Sequence, residues 1–297
     1  MKISIRTSHL VLLLLIASFV IVSPSVSDDS PGFQWNSAEP SEVGLSSEKI
    51  QRLKDGLESC GTQALFVVCR DRVVCEWYSP DSGADRKHGT ASLAKALIGG
   101  MSLILALQDG LLHIDDPADR YIEEWKQDPT RSGITIKQLA THSSGIEDAE
   151  VNGMSHTQSG GWKSRFWNHD HDPFTIARDW APMNFKPGTA FEYSNPGMAM
   201  LSYTITAALN VSSSPHKEVR TYLRDRIMRP IGVPDTEWSC GYGKTFTIHN
   251  LPLVANWGGG SFTARAVARI GRLLLHHGEW EGKQILDPHY IEMAVSD

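Results

Sequence analysis

The chain has 297 residues with 28 basic and 34 acidic side chains, so its formal net charge is −6 at pH 7. This acidic balance, without any block of lysine and arginine, excludes an electrostatic footprint for nucleic acid. Hydrophobic residues make up 41% of the sequence and charged residues 21%, which excludes a wholly disordered chain. No nucleic-acid partner is expected.

The first 27 residues have the organisation of a secretory signal peptide. Lys2 and Arg6 precede an apolar run over residues 10–22, and small residues follow at 25–27. The run is shorter than the roughly 20 apolar residues that a membrane span needs. We therefore expect an exported protein, periplasmic or secreted, without a stable span after cleavage. A retained N-terminal anchor is the alternative.

The mature chain is expected to hold one principal domain. Residues 28–40 are polar and contain proline, which indicates a linker. Residues 41–297 suit one large domain or two closely associated ones. Its predicted sheet region covers residues 41–90 and 240–297, and its predicted helical region covers residues 91–239.

In chain order, a helix is expected to begin after Ser46, which is a natural N-cap. Two runs of β-branched and aromatic residues around a charged turn predict an antiparallel hairpin over residues 64–78. Helices dominate after Gly89 and end at glycine or proline. They are expected at residues 92–109, 135–140, 173–180, 196–209, 217–228 and 263–277, with a last one beginning at Asp287.

The hairpin over residues 64–78 needs partners, because a two-stranded sheet is marginal by itself. Its remaining strands are expected either within residues 237–254 or beyond residue 297, and the second placement is preferred. The chain is accordingly interpreted as C-terminally truncated.

The four cysteines leave two interpretations open. Export makes a disulfide chemically possible, and Cys69 and Cys75 lie on one predicted hairpin. Buried free thiols are the alternative for these two residues and for Cys60 and Cys240. The spacing does not match a zinc site.

The strongest local signal for chemistry is Ser92-Leu93-Ala94-Lys95, an S-x-x-K motif. Lys95 is the only charged residue in positions 91–107, so the helix is expected to be buried on every side. Burial lowers the pKa of a lysine, and a neutral amine one turn from a serine can accept the hydroxyl proton. We predict Ser92 as nucleophile and Lys95 as its base. A serine that only caps the helix is the alternative.

A second candidate motif is Tyr193-Ser194-Asn195, just before a predicted helix. A phenol beside an ammonium ionises more easily and can relay protons to a leaving group. Asn195 can present its amide to a substrate carbonyl or to Lys95. Taken alone, the three residues are typical of a turn. We predict Tyr193 as a proton relay and Asn195 as a substrate-binding residue.

Together, Ser92-x-x-Lys95 and Tyr193-x-Asn195 resemble the motifs of class C β-lactamases and of the related esterases, D-amino-acid peptidases and amide hydrolases. Three further segments are similar to motifs of that family. They are DGLLHIDDP at residues 109–117, IKQLATHSSG at 136–145 and GGGSFTAR at 258–265.

The resemblance implies an α+β fold of the β-lactamase/transpeptidase type, an antiparallel sheet flanked by helices with an inserted helical region. It implies an acyl-enzyme on Ser92 that water hydrolyses, with Lys95 and Tyr193 sharing the proton transfers. It also implies a small-molecule or peptide-like ester or amide substrate, and neither a metal nor an organic cofactor.

One motif of the family is not found in this sequence. It consists of Lys or His, then Thr or Ser, then Gly, on a strand near the C-terminus. Residues 243–246 offer only Gly-Lys-Thr-Phe, which lacks the final glycine. A non-catalytic relic of the same fold is therefore the alternative function.

A metal-dependent hydrolase that uses His169 and His171 is a third hypothesis. The preferred interpretation of these residues is a solvated loop whose last residue, Asp172, caps the helix that begins at Pro173. A Ser-His-Asp hydrolase built on His142 is not expected, because the sequence contains no Gly-x-Ser-x-Gly elbow.

Overall fold

The structure is a computed structural model. In it, the described part of the expected linker, residues 33–40, makes contacts with the rest of the chain. The described residues are 33–168 and 172–296. Asn36–Ser37 forms a strand that pairs in parallel with Arg72 and Val73. Phe33 packs on Trp280, with ring centroids 4.7 Å apart. Within residues 33–40 this segment therefore contributes a short strand and a partly buried aromatic residue to the domain.

Helices supply most of the described chain. The α-helices are α1 (Ser47–Ser59), α2 (Met101–Gln108), α3 (Ile136–Ala140), α4 (Gly161–Trp167), α5 (Pro173–Thr175), α6 (Asn195–Val211), α7 (Val219–Leu223), α8 (Ala264–Leu275) and α9 (Pro288–Val295). Wider π-type turns are found at Lys95–Gly100, Ile176–Trp180 and Arg224–Met228, and 3-10 turns at Pro40–Val43, Ala91–Leu93, Ala118–Arg120, Glu123–Trp125 and Gly241–Gly243. Every helix expected from the sequence is present within a few residues of its predicted bounds. Helix α4 was not expected, because it is short and begins at a pair of glycines.

The strands are short apart from the hairpin. They are β1 (Asn36–Ser37), β2 (Ala64–Cys69), β3 (Arg72–Tyr78), β4 (His88–Gly89), β5 (Trp238–Ser239), β6 (Phe246–Ile248), β7 (Leu251–Leu253), β8 (Ser261–Phe262), β9 (Glu279–Trp280) and β10 (Lys283–Gln284). They form sheets with the strand orders β1-β3-β2, β4-β8-β5, β6-β7 and β10-β9.

The predicted hairpin is the antiparallel pair β2 and β3, which has a bulge between Val67 and Val68. Its register opposes Cys75 to Val67 and Cys69 to Arg72, so the two cysteines do not face each other. All four cysteines are free thiols.

Strands do occur between residues 237 and 254, yet they do not extend the hairpin sheet. Strand β5 pairs with β8, and β6 pairs with β7. Among the described residues, β2 lies at one edge of its sheet and carries α8 against one face. The prediction of further strands beyond residue 297 stays a prediction.

The helix that carries the S-x-x-K motif runs without a break from Ala91 to Gln108 and is more exposed at its start than expected. Ser92, Leu93 and Ala96 are exposed, whereas residues 97–107 are almost entirely buried. Among the described helices, this one alone is long and apolar enough to cross a membrane, and 61% of it is buried inside the protein. Its apolar composition is explained by its place in the core.

Helix α6 lies at the centre of the same core. Every residue of α6 from Asn195 to Leu209 is buried, and the helix packs against α2, α3 and α5. Residues 33–296 form one compact unit. The two helices that begin at the candidate motifs are therefore packed together, which holds the motifs at a fixed separation. The predicted signal peptide, residues 1–27, lies outside the described residues.

Candidate active site

Ser92 occupies the first turn of its helix, where the backbone leaves the regular helical path. Ala91 has φ of 45°, a left-handed conformation that is uncommon for a residue with a side chain. Lys95 follows one turn later, with its Nζ 3.2 Å from Ser92 Oγ. The serine is exposed while the lysine is half-buried. The S-x-x-K spacing therefore brings the two groups together as predicted.

The second motif comes to the same serine from 101 residues away. Tyr193 donates its hydroxyl hydrogen to Ser92 Oγ over 2.5 Å. Ser194 caps α6 by accepting a hydrogen bond from the N–H of Gly197 at 2.9 Å, which fixes the loop just before the helix. The N-cap explains why the tyrosine can project toward Ser92 while the next turn is buried.

The Lys95 amine is surrounded by acceptors. It donates to Asn195 Oδ1 at 2.6 Å and to the carbonyl oxygen of Trp257 at 2.8 Å, besides its contact with Ser92. Burial lowers the pKa of Lys95 to about 8, although the charges of Asp148 and Glu150 act in the opposite direction. The lowered pKa predicted from the sequence is therefore present, and desolvation is its cause.

The expectation that an adjacent ammonium would ease the ionisation of Tyr193 is wrong. Burial raises the pKa of this phenol, and the charges of Glu150 and Asp148 add to the rise, against a lowering effect of its hydrogen bond to Ser92. Lys95 Nζ lies 4.5 Å from the centroid of the Tyr193 ring, where it makes a cation–π contact. Tyr193 therefore keeps its proton at neutral pH.

Asn195 is 1% exposed and both ends of its amide are bound within the protein. The oxygen accepts from Lys95, and Nδ2 donates to Asp148 Oδ1 at 2.9 Å. Of the two roles considered from the sequence, the structure places the amide on Lys95. Its contact with a substrate stays a prediction.

His142 has a role in the site that the sequence did not reveal. Its ring stacks on Tyr193, with centroids 4.9 Å apart and planes at 24°. Its Nδ1 accepts the backbone N–H of Ser194 at 3.0 Å. Burial lowers the pKa of His142, and the nearby Lys95 lowers it further while Asp148 opposes the change. The neutral imidazole therefore braces the tyrosine.

The sequence also did not identify Asp148 or the Trp257 carbonyl as part of the site. Asp148 follows the segment at residues 136–145 that resembles a family motif, which was the available signal. Trp257 directly precedes the glycines at 258 and 259, and a Cβ at either glycine would lie within 2.5 Å of Tyr242. These glycines allow the chain to pass close to Tyr242 and present the carbonyl oxygen of Trp257 to Lys95.

Within the described parts of the chain, no group of three histidine, cysteine or acidic residues is arranged to hold a metal ion. The pair His169 and His171, which supports the metal hypothesis, lies outside the described residues.

A helical region packed around small, mostly antiparallel sheets is the architecture of β-lactamase/transpeptidase-like proteins. The family model described as Beta-lactamase matches residues 49–294. The chain belongs to the β-lactamase family.

Relatives in this family carry names that describe different hydrolytic reactions. The D-alanyl-D-alanine-carboxypeptidase/endopeptidase AmpH of Escherichia coli K12 is 28% identical over 50% of this chain and 36% of its own length. The 6-aminohexanoate-dimer hydrolase of Paenarthrobacter ureafaciens is 23% identical over 84% of this chain and 60% of its own. The chain thus spans 36% to 60% of the length of these curated relatives.

A solved structure shows the same fold. It is that of a putative 6-aminohexanoate-dimer hydrolase from Bacillus anthracis, with a TM-score of 0.63 and 22% identity. The likeness covers 88% of this chain and 67% of the other.

Proposed function

We propose that this protein is a serine hydrolase that cleaves an amide or ester bond through an acyl-enzyme on Ser92. The observation that carries the proposal is the convergence of Lys95 and Tyr193 on Ser92 Oγ, at 3.2 and 2.5 Å. A capping serine would need neither contact. The names of the curated relatives, which describe cleavage of peptide and amide substrates, support the same class of reaction.

The hydrogen bonds around Lys95 determine where its lone pair points. A neutral amine has two hydrogens, and Asn195 Oδ1 and the Trp257 carbonyl can only accept them. The remaining lone pair is directed at the third neighbour, Ser92 Oγ. Lys95 is therefore oriented as a general base for the serine hydroxyl.

Acylation follows from this arrangement. As the Ser92 hydroxyl proton passes to Lys95 Nζ, Oγ forms a bond to the substrate carbonyl carbon. The tetrahedral intermediate collapses with cleavage of the carbon–nitrogen or carbon–oxygen bond. Tyr193, which is protonated at neutral pH, gives its proton to the leaving group and recovers one from the Lys95 ammonium.

Deacylation reverses the proton path. A water molecule gives a proton to Lys95 and its oxygen bonds to the acyl carbon. The bond from that carbon to Ser92 Oγ then breaks, and Oγ takes a proton back through Tyr193 or Lys95. The protein returns to its starting state without any cofactor in these steps.

Intact-mass analysis with a fluorophosphonate tests the proposal. We expect one covalent adduct that maps to Ser92 and is absent from Ser92→Ala. The neighbouring Ser102, which is buried and bonds to the Gly99 carbonyl, supplies a matched control in Ser102→Ala. Labelling that persists in Ser92→Ala would refute the nucleophile. No adduct on the wild-type protein would favour the non-catalytic relic.

We also propose that the protein is exported, on the charge and hydropathy pattern of residues 1–27. Expression in a bacterial host followed by fractionation and N-terminal sequencing is the test. A mature N-terminus near residue 28 in the periplasm or medium is expected, whereas an intact N-terminus in the cytosolic fraction would count against export.

A further inference from the structure

We propose that Asp148 is a positioning residue that locks the amide of Asn195, so that the amide oxygen, and not the amide nitrogen, faces Lys95. The inference rests on the proposed function, because it explains how the base at Ser92 is kept correctly oriented. Asp148 itself touches neither Ser92 nor any reacting atom in the described contacts.

The geometry of Asp148 leaves the Asn195 amide one orientation. Asp148 Oδ1 accepts two hydrogen bonds from the same residue, one from the backbone N–H of Asn195 at 2.8 Å and one from its Nδ2 at 2.9 Å. A carboxylate accepts and does not donate. The amide nitrogen must therefore face Asp148, and the oxygen is left to face Lys95 at 2.6 Å.

A flipped amide would disable the base. An Asn195 N–H group directed at Lys95 would compete for the lone pair that otherwise points at Ser92 Oγ. Since Asn195 is 1% exposed, water cannot supply the missing partners, and an amide turned the wrong way would leave buried groups unpaired. The Lys95 ammonium, which only donates, requires the same orientation. The neutral amine that acts as the base could instead accept an amide N–H, so in that state the carboxylate of Asp148 keeps the oxygen toward Lys95.

Asp148 could instead affect Lys95 only through its negative charge. A substitution of Glu150 distinguishes this electrostatic effect from the positioning of the Asn195 amide. Asp148 and Glu150 both place negative charge near Lys95, with His142 as the other titratable neighbour on the same segment. Glu150 is exposed, and its described ionic neighbour is His156 at 3.9 Å. Removal of the Glu150 charge therefore imitates the electrostatic part of an Asp148 substitution alone.

The test uses variants that change either the charge at position 148 or the position of its acceptor oxygen. Asp148→Asn removes the charge but keeps an acceptor oxygen toward Asn195, because the backbone N–H of Asn195 selects the oxygen end of the new amide. Asp148→Glu retains the charge and displaces the carboxylate by one methylene. We expect Asp148→Glu to slow fluorophosphonate labelling of Ser92 by roughly a hundredfold, a loss that a misplacement of about 1 Å can cause. The control Glu150→Gln should stay within a few-fold of the wild-type rate, and Asp148→Asn should be slowed far less than Asp148→Glu.

The reverse result would overturn the proposal. If Asp148→Glu labels at the wild-type rate while Asp148→Asn and Glu150→Gln are both slow, the residue acts through its charge. Thermal unfolding midpoints check that each variant folds. If Asp148→Glu does not fold, Asp148→Ala takes its place, because it also removes the acceptor from Asn195.

A second readout does not depend on activity. The pKa of Lys95 is followed by NMR of protein carrying 13C-labelled lysine, with its signal assigned through Lys95→Arg. A flipped amide favours the neutral amine, so Asp148→Glu should lower the Lys95 pKa although the charge is retained. An unchanged Lys95 pKa in that variant refutes the positioning role even if Ser92 proves unreactive. Failure of the positioning role can therefore be distinguished from failure of the proposed function.

Discussion

At the scale of single residues, Lys95 is held between two opposing influences. Its side chain leaves water for a site with three acceptors, and the desolvation lowers its pKa to about 8 against the pull of two carboxylates. Lys95 is thus neutral in about a tenth of the molecules at pH 7. This poises Lys95 to act as a base near physiological pH.

The pH dependence of acylation should report this pKa. Because only neutral Lys95 accepts the serine proton, kcat/KM for a p-nitrophenyl ester should rise with pH and level off above about 8. The raised pKa of Tyr193 places any descending limb above its ordinary value near 10. Lys95→Arg, which keeps the charge and cannot lose it, should reduce the rate to that of Ser92→Ala. An ascending limb near pH 6 would contradict the assignment of Lys95.

His142 links the site to stability. The native state keeps this imidazole neutral, because Nδ1 accepts the Ser194 N–H and burial lowers the pKa below the ordinary 6.5. The unfolded chain binds a proton at about pH 6.5, whereas the native state binds one only at lower pH. The stability that the neutral His142 contributes is therefore fully present above about pH 6.5 and is lost as the pH falls through the native pKa.

His142→Asn should weaken this pH dependence. An asparagine oxygen can take the place of Nδ1 as acceptor, but it does not titrate. We expect the urea midpoint of the wild type to fall more steeply between about pH 7.5 and pH 5 than that of the variant. Parallel midpoints over that range would show that His142 does not titrate on unfolding. His277→Asn, which alters an imidazole whose backbone lies at a turn after α8, is the control.

At the scale of the elements, the helix from Ala91 to Gln108 has to pack closely against α6. Gly99 is buried in its π-type turn, and a Cβ there would lie 2.7 Å from Met198 Cε and 3.2 Å from Asn256 Nδ2. Both neighbours are themselves buried. An added Cβ at Gly99 would therefore force these two buried side chains to shift, whereas the backbone angles of Gly99 are ordinary helical ones.

Gly99→Ala should therefore destabilise the protein although alanine favours helices. Overpacking costs about 1–3 kcal/mol, and the better helix propensity offsets up to about 1 kcal/mol. Gly271→Ala in α8 is the matched control, because a Cβ there meets no atom within 4 Å, and it should be neutral or stabilising. Equal urea midpoints for the two variants would show that the contact at Gly99 relaxes without cost.

At the scale of the whole molecule, an aromatic cluster joins helices α4 and α5 to the segment around Trp257, whose backbone carbonyl accepts a hydrogen bond from Lys95. The ring of Trp257 lies 5.0 Å from Phe166 and 5.4 Å from Phe174, and Trp257 is 1% exposed. The same residue offers its backbone carbonyl to Lys95. Core packing and the orientation of the base thus depend on one residue.

Trp257→Ala should lower the free energy of unfolding by about 3–5 kcal/mol, the usual cost of removing a large buried ring. Trp180→Ala is the control, since Trp180 is 47% exposed and loses little beyond its contact with Arg165, worth about 0.5–1 kcal/mol. The comparison of the two urea unfolding curves is the measurement. A Trp257 variant as stable as the Trp180 variant would contradict the role of the cluster.

The sequence by itself determined the hairpin over residues 64–78, the family and, to within a few residues, every helix except α4. These are local features: N-caps, breakers, alternating residues and a serine one turn from a lysine act over a few positions. The lowered pKa of Lys95 was also predictable, because a lone charge in an apolar helix must be desolvated.

Only the tertiary structure decided which groups surround that lysine. The carbonyl of Trp257 carries no signature in a sequence, and Asp148 reaches Asn195 from 47 residues away. The direction of the Tyr193 pKa shift was predicted wrongly for the same reason, since burial, together with two carboxylates that the fold brings near, raises this pKa. Distances across the fold are set by packing, and electrostatic effects depend on those distances and on the exclusion of water.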